Sequence, residues 1–239
     1  MSAAFRCVGH DIVQVFGRTL SNAVEVAARV GAQAVCRYED VSADADVYVI
    51  AVKDDAIRQV AAALPKGLRG VMVHTAGSVP LSVFEGVTEN GAVLYPMQSF
   101  TKGRELDYGE IPFFIEATSE EALHVVRSLA GSVSEVVRAI DSEQRLRLHL
   151  AAVFASNMAN HCYRMAERIA NGAGMDFALY GPLIKETAAK AAKMSPYEAQ
   201  TGPMRRKDAA VMQKQTDMIN DPLMREMYEL FAKSIGREY

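Results

Sequence analysis

Up to Asp141 the chain alternates between two hydrophobic patterns. Short, nearly continuous apolar runs predict buried strands at 11–16 (DIVQVF), 46–52 (DVYVIAV), 70–78 (GVMVHTAGS), 92–96 (AVLYP), 111–117 (IPFFIEA) and 134–140 (SEVVRAI). Between them, apolar residues at helical spacing predict helices at 21–32 (SNAVEVAARVGA), 54–64 (DDAIRQVAAAL) and 118–131 (TSEEALHVVRSLAG). The first of these stops at a glycine, and the second carries acids in its first turn, where the helix dipole favours them. The third opens with a Thr-x-x-Glu capping box. The stretch SAAFRCVGH before Asp11 reads as the tail of a further helix.

Beyond Asp141 the strand pattern disappears. Residues 141–174 predict one long helix, and further helices follow over about 182–194, 204–219 and 222–235. The β-α-β alternation implies a parallel sheet covered on both faces. The fold class is therefore α/β, a Rossmann-like mostly parallel sheet over 1–141 followed by an all-α domain over 142–239.

Composition narrows the class of partner. A net charge of −3 disfavours nucleic acid and anionic membranes, both of which want a basic face. No apolar run reaches membrane-spanning length, and the start of the chain has no signal-peptide pattern. Cys7, Cys36 and Cys162 are scattered, which suits a reducing cytoplasm and argues against a disulfide framework or a metal site.

The first candidate chemistry lies in GHDIVQVFGRTLSNA (9–23). In a doubly wound dinucleotide fold, an acid after the second strand holds the ribose hydroxyls of NAD, and an arginine there accommodates the extra phosphate of NADP. The position falls on Arg18, with the hydroxyls of Thr19 and Ser21 beside it, an NADP-type pocket. The other reading is a solvated arginine next to a helix start. A βαβ fingerprint occupies about 30 residues with its glycines near the beginning, and no G-x-G-x-x-G turn precedes Asp11. The expectation is a domain lacking its first strand and phosphate-holding turn, through a start assigned too late rather than a genuine loss.

Four stretches, IVQVFGRT (12–19), HTAGSVPL (74–81), LYPMQSF (94–100) and TGPMRRKD (201–208), carry a resemblance supported by SNMANH (156–161). Together they resemble a family of Rossmann-like oxidoreductases similar to deazaflavin-coenzyme-dependent NADP reductases, with a helical C-terminal domain. Pyrroline-5-carboxylate reductase and the β-hydroxyacid and 6-phosphogluconate dehydrogenases are more distant relatives. The resemblance runs from Ala3 to the end of the chain and implies NADP as cofactor.

It also implies where the other groups act. Ala51, Val52 and Lys53, His74 and Thr75 would line the cofactor site at the carboxyl ends of strands, and Gln98 would face the substrate, with Tyr95 and Phe100 as packing. Asn157 and His161 share one helix face, with Ser156 beside them. His161 and Asn157 are the catalytic candidates, His161 as proton carrier, and Ser156 and Arg206 are substrate-binding candidates. The competing readings are hydrogen bonding across a helix interface for the first three and, for Arg206, pairing with Asp208 or with an acid of a second subunit. The expected function is an NADP-dependent oxidoreductase moving a hydride between nicotinamide and a small carbonyl, imine or hydroxy compound. The rivals are a dinucleotide-binding regulatory or scaffold protein and a helical dimerisation module. Small residues along the long helix (Ala151, Ala152, Ala155, Ala159) fit a homodimer formed by the C-terminal helices.

Overall fold

The computed structural model describes residues 1–101 and 103–239. The chain divides into two units, residues 1–157 and 158–239.

In the first unit, helix α1 (Ser2–Cys7) precedes strand β1 (Gln14–Phe16), helix α2 (Leu20–Val30) and strand β2 (Gln33–Val35). Helix α2 buries Ala23, Ala27 and Val30, one face of a 3.6-residue repeat, and ends at Gly31 in the left-handed conformation (φ 67°). Gly17 permits the tight turn before α2, because a Cβ there would stand 3.2 Å from that of Ala23. Strand β2 is an element the apolar pattern does not announce. Its three residues are exposed, half-buried and buried in turn, too short a run for periodicity to register.

Strands β3 (Val47–Ile50), β4 (Val71–His74), β5 (Gly91–Pro96), β6 (Phe113–Ala117) and β7 (Val137–Ala139) follow, with helix α3 (Ile57–Ala63) after β3 and helix α4 (Glu120–Gly131) after β6. They form a second sheet in the order β3-β4-β5-β6-β7, parallel except for the antiparallel β5–β6 pair. Helix α4 starts one residue later than its capping-box reading. Ser119 is the cap and accepts from the Ala122 amide, while the Thr118 hydroxyl accepts from the Gly91 amide at 3.0 Å.

The single sheet expected from the sequence is thus two sheets, β1–β2 and β3–β7. The Val13 carbonyl accepts from Gln33, and the Gly17 amide donates to Val35. By the alternation of a parallel ladder, Gln14 and Phe16 turn their backbone groups to the other edge of β1. Among the described residues no strand pairs there or on the outer edge of β3. Helix α1 links the two parts by packing. Its Phe5 enters the core of Val71, Val73, Leu94, Phe113 and Ile115 that α4 covers, and α1 also contacts α2. On the opposite face Tyr48, Ile50, Met72 and Phe84 pack against Ile57 and Ala61 of α3.

The predicted long helix is continuous but not uniform. Helix α5 (Ser142–Ala152) passes through a wide π-helical turn (Val153–Met158) into helix α6 (Ala159–Gly172). Helix α5 packs on the sheet through Leu148, which joins Val93, Tyr95 and Phe114, so the first unit extends past the predicted boundary at 141.

The second unit contains α6 and helices α7 (Gly181–Lys193), α8 (Pro196–Ala199), α9 (Ala209–Asp217) and α10 (Pro222–Glu238). Asp208 caps α9 and Asp221 caps α10, the latter also pairing with Arg168 at 2.8 Å. Among the described residues its buried apolar side chains are few: Ala170, Ile219 and Met224.

Candidate active site

Strand β4 delivers His74 to its carboxyl end, and the small residues Thr75, Ala76, Gly77 and Ser78 then turn the chain. His74 was expected to line the cofactor site. The structure buries it completely, with Nδ1 accepting from the Ala76 amide at 3.2 Å and Nε2 without a partner among the described residues. Its side chain therefore braces the turn from beneath, and the face offered upward is that of Thr75 to Ser78.

Burial, aided by the Arg145 guanidinium, pulls the His74 imidazole down to about 4. An unfolded histidine titrates near 6.5, so between those values the unfolded chain takes up a proton that the folded one refuses. Stability should fall as pH drops through that window, by about 3 kcal/mol in all, and level off below it. Urea unfolding at a series of pH values checks this, with His74→Gln expected to lose most of the slope while keeping an acceptor for the Ala76 amide.

A buried polar clamp fixes α5 above this turn. Ser142, in its first turn, accepts from the Leu81 amide at 2.9 Å and donates to Glu116 on β6 at 2.8 Å. Arg145, 1% exposed, ion-pairs with Glu116 and donates to the Val79 carbonyl at 2.5 Å. One helical turn further on the same face is His149. Its Nδ1 lies 3.2 Å from the Tyr95 hydroxyl at the end of β5, and the two rings meet edge to face at 5.9 Å. Burial pushes the Tyr95 phenol up, so it stays protonated. A Cβ on Gly77 would come within 2.6 Å of the His149 ring and 2.9 Å of Tyr95, so only glycine admits both.

The other predicted positions distribute as follows. Ala51, Val52 and Lys53 are exposed at the end of β3, and the next residue, Asp54, accepts a short hydrogen bond from Ser78 that ties the two turns together. Arg18, Thr19 and Ser21 are exposed at the start of α2, with Thr19 as its N-cap making no side-chain capping bond. Arg18 has no ion pair or hydrogen bond among the described residues, so guanidinium, two hydroxyls and the helix N-terminus all stand open to an anion. Gln98 folds its carbonyl back onto the Ser99 amide at 2.8 Å. Ser156 and Asn157 are exposed within the π turn. His161 and Arg206 belong to the second unit, Arg206 exposed in the turn before α9.

The sequence reading missed Arg145, Glu116, Ser142 and His149 and assigned Tyr95 to packing alone. The available signal was RLRLHL (145–150), whose basic and imidazole groups sit four apart at a helix start just after a strand. Among the described residues no group of three or more His, Cys, Asp or Glu is placed to hold a metal, and no helix is long and apolar enough to cross a membrane.

A mostly parallel α/β sheet followed by a helical C-terminal part is the Rossmann-like fold of NADP oxidoreductases. The chain belongs to the family described as a domain of unknown function, DUF2520, whose model matches residues 111–235, just over half of its length. It is 41% identical to a Bacteroides fragilis protein described as a "putative NADP oxidoreductase", over 99% of this chain and 92% of that one, with a TM-score of 0.93. Protein TM1727 of Thermotoga maritima is 26% identical over 98% and 93% of the two chains, TM-score 0.77. A reductive aminase of Aspergillus terreus in complex with NADPH and ethyl levulinate shares the fold, with 14% identity over 99% and 89% and a TM-score of 0.72. No curated protein matches the chain.

Proposed function

We propose that this protein is an NADP-dependent oxidoreductase that moves a hydride between nicotinamide and a small carbonyl, imine or hydroxy compound. The observation that carries the reading is the unpartnered Arg18 with Thr19 and Ser21 at the start of α2, a position where NAD-binding folds carry an acid. That end of the site fits a 2′-phosphate. The glycine-rich turn that holds a pyrophosphate is not among the described residues, so the fit rests on the ribose-phosphate end and on the turns at Ala51–Lys53 and Thr75–Ser78.

Bound there, the cofactor would supply the hydride. The chain's own residues orient the partner molecule. Ser156 and Asn157 are assigned to substrate contact, supported by their place in a π turn, a feature that recurs at functional sites. Gln98, Arg206 and His161 remain assigned to substrate binding or proton transfer, each to be tested by substitution.

NADPH titration followed by fluorescence enhancement tests the reading, with NADH as comparison and ethyl levulinate, or cyclohexanone with allyl amine, as hydride acceptors. Tight NADPH binding with turnover is expected. Binding without turnover on any acceptor would favour the regulatory or scaffold reading, and no binding would end both.

The homodimer is part of the proposal. Two separate units of these sizes would expose about 12,600 Å² if each were well packed. The chain exposes 15528 Å², and Phe154, Leu183, Met218, Leu223, Leu230 and Phe231 are among its exposed large apolar residues. A second copy of equal surface chemistry is the occupant that such faces suit. Light scattering behind size exclusion should give twice 26.1 kDa, and a mass of one chain at micromolar concentration would refute it. The reducing cytoplasm is the proposed compartment, consistent with the free Cys7, Cys36 and Cys162.

A further inference from the structure

We infer that His149 is the proton donor of this site and Tyr95 its positioning partner. The inference rests on the oxidoreductase reading above and gives to His149 the proton transfer for which His161 is the other candidate. Three independent constraints hold the imidazole. Its Nδ1 is engaged by the Tyr95 hydroxyl at 3.2 Å, its ring rests against the backbone of Gly77, and its helix is locked to the sheet four residues earlier by Arg145 on Glu116 and the Val79 carbonyl. Its Nε2 has no hydrogen-bond partner among the described residues and is not buried, so it is the free end of the group.

The Tyr95 hydroxyl serves both protonation states of the ring. It donates to Nδ1 when the imidazole is neutral and, by rotating, accepts from Nδ1–H when the ring is charged. The ring therefore keeps one orientation while Nε2 gains or loses its proton. This is what a residue acting once per turnover in each direction needs. In the reductive direction the imidazolium Nε2–H bond breaks and the proton goes to the oxygen or nitrogen of a C=O or C=N group. That group's carbon receives the hydride from NADPH, leaving a neutral imidazole, NADP⁺ and an alcohol or amine. Half-burial leaves the imidazole open to solvent for reprotonation. In the oxidative direction the neutral ring takes the hydroxyl or amine proton. The charged groups near the turn it rests on are Arg145 on its own helix, Glu116 on β6 and Asp54, which Ser78 holds beside the β4 turn; His74 beneath that turn is neutral. Arg145 and Glu116 compensate each other.

The test uses the full chain and a readout independent of turnover. Diethyl pyrocarbonate labels accessible imidazoles, and peptide mapping separates His149 from His10, His124, His161 and the buried His74. His149 should label in the free protein and at least tenfold more slowly with saturating NADPH, while His74 stays unlabelled throughout. Nitrogen-15 NMR of labelled histidine should show the His149 titration midpoint and tautomer ratio move in Tyr95→Phe. With ethyl levulinate, His149→Gln should lower kcat at least a hundredfold, flatten the pH profile of kcat/KM and leave the NADPH Kd within twofold. Tyr95→Phe should lower kcat less and displace that profile.

Failure of the unmodified protein to bind NADPH would overturn the oxidoreductase reading and this inference with it. NADPH binding that leaves His149 labelling unslowed would overturn the inference alone, whether or not any acceptor is turned over. Full activity in His149→Gln would do the same.

Discussion

Replacing Arg18 by aspartate should invert the cofactor preference. A charge-assisted hydrogen bond to a phosphate contributes about 1.5–3 kcal/mol, roughly one to two orders of magnitude in affinity. A carboxylate in its place adds repulsion against the 2′-phosphate. It also offers an acceptor to the ribose hydroxyls, so NADH should bind as well as before or better. The ratio of the two dissociation constants is expected to move by about a thousandfold. Nothing described in the fold opposes the substitution, since Arg18 is exposed and makes no ion pair or hydrogen bond among the described residues. An unchanged ratio in a protein that still binds NADPH would assign phosphate recognition elsewhere and leave Arg18 a solvated residue.

The second large effect is on stability. Arg145→Met removes the cation that Glu116 faces in the interior, and with it the donor to the Val79 carbonyl. Breaking a buried pair by deleting one partner costs about 3–5 kcal/mol, because the remaining charge is left without compensation. For a unit of this size that corresponds to a melting temperature lowered by roughly 10 °C. Substituting both partners, as in Arg145→Met with Glu116→Leu, should recover much of the loss, since an apolar pair removes both desolvation penalties. Calorimetry on the two variants separates these outcomes. Equal stability of Arg145→Met and the unmodified chain would mean that water reaches the pair. The single variant should also free α5 at its start, so the slowing of His149 labelling by NADPH is expected to weaken.

Much of this architecture was legible because burial writes itself into runs. GVMVHTAGS is buried along its whole strand and DVYVIAV on one face only, with Val49 exposed on the other, yet both read as strands, and the Ala23, Ala27, Val30 repeat reads as a helix. What escaped was set by contacts distant in sequence. The three residues of β2 hold their place by pairing with β1, which composition does not encode. The π turn falls on VFASNM, where Val153, Phe154, Ser156 and Asn157 are weaker helix formers, but nothing in that composition distinguishes a π turn from an α-helical one. The clamp joins Val79, Glu116 and Arg145, three segments no local window spans. Of the candidate site, the exposed Arg18 at the head of α2 could be read from its place after a strand. The Tyr95–His149 pair could not, because the edge-to-face contact depends on where α5 crosses β5.

The division of the strands into two ladders has a consequence for recognition. Arg18 rides on the smaller layer, whereas the turns at Lys53 and Gly77 belong to the larger; among the described residues no strand pairs across the two, and they are joined by the packing of Phe5 and Ile12 and by the His10–Ser132 hydrogen bond. A molecule long enough to touch both layers must act as the crosslink between them. Small fragments that reach one layer alone would leave that bridge unmade.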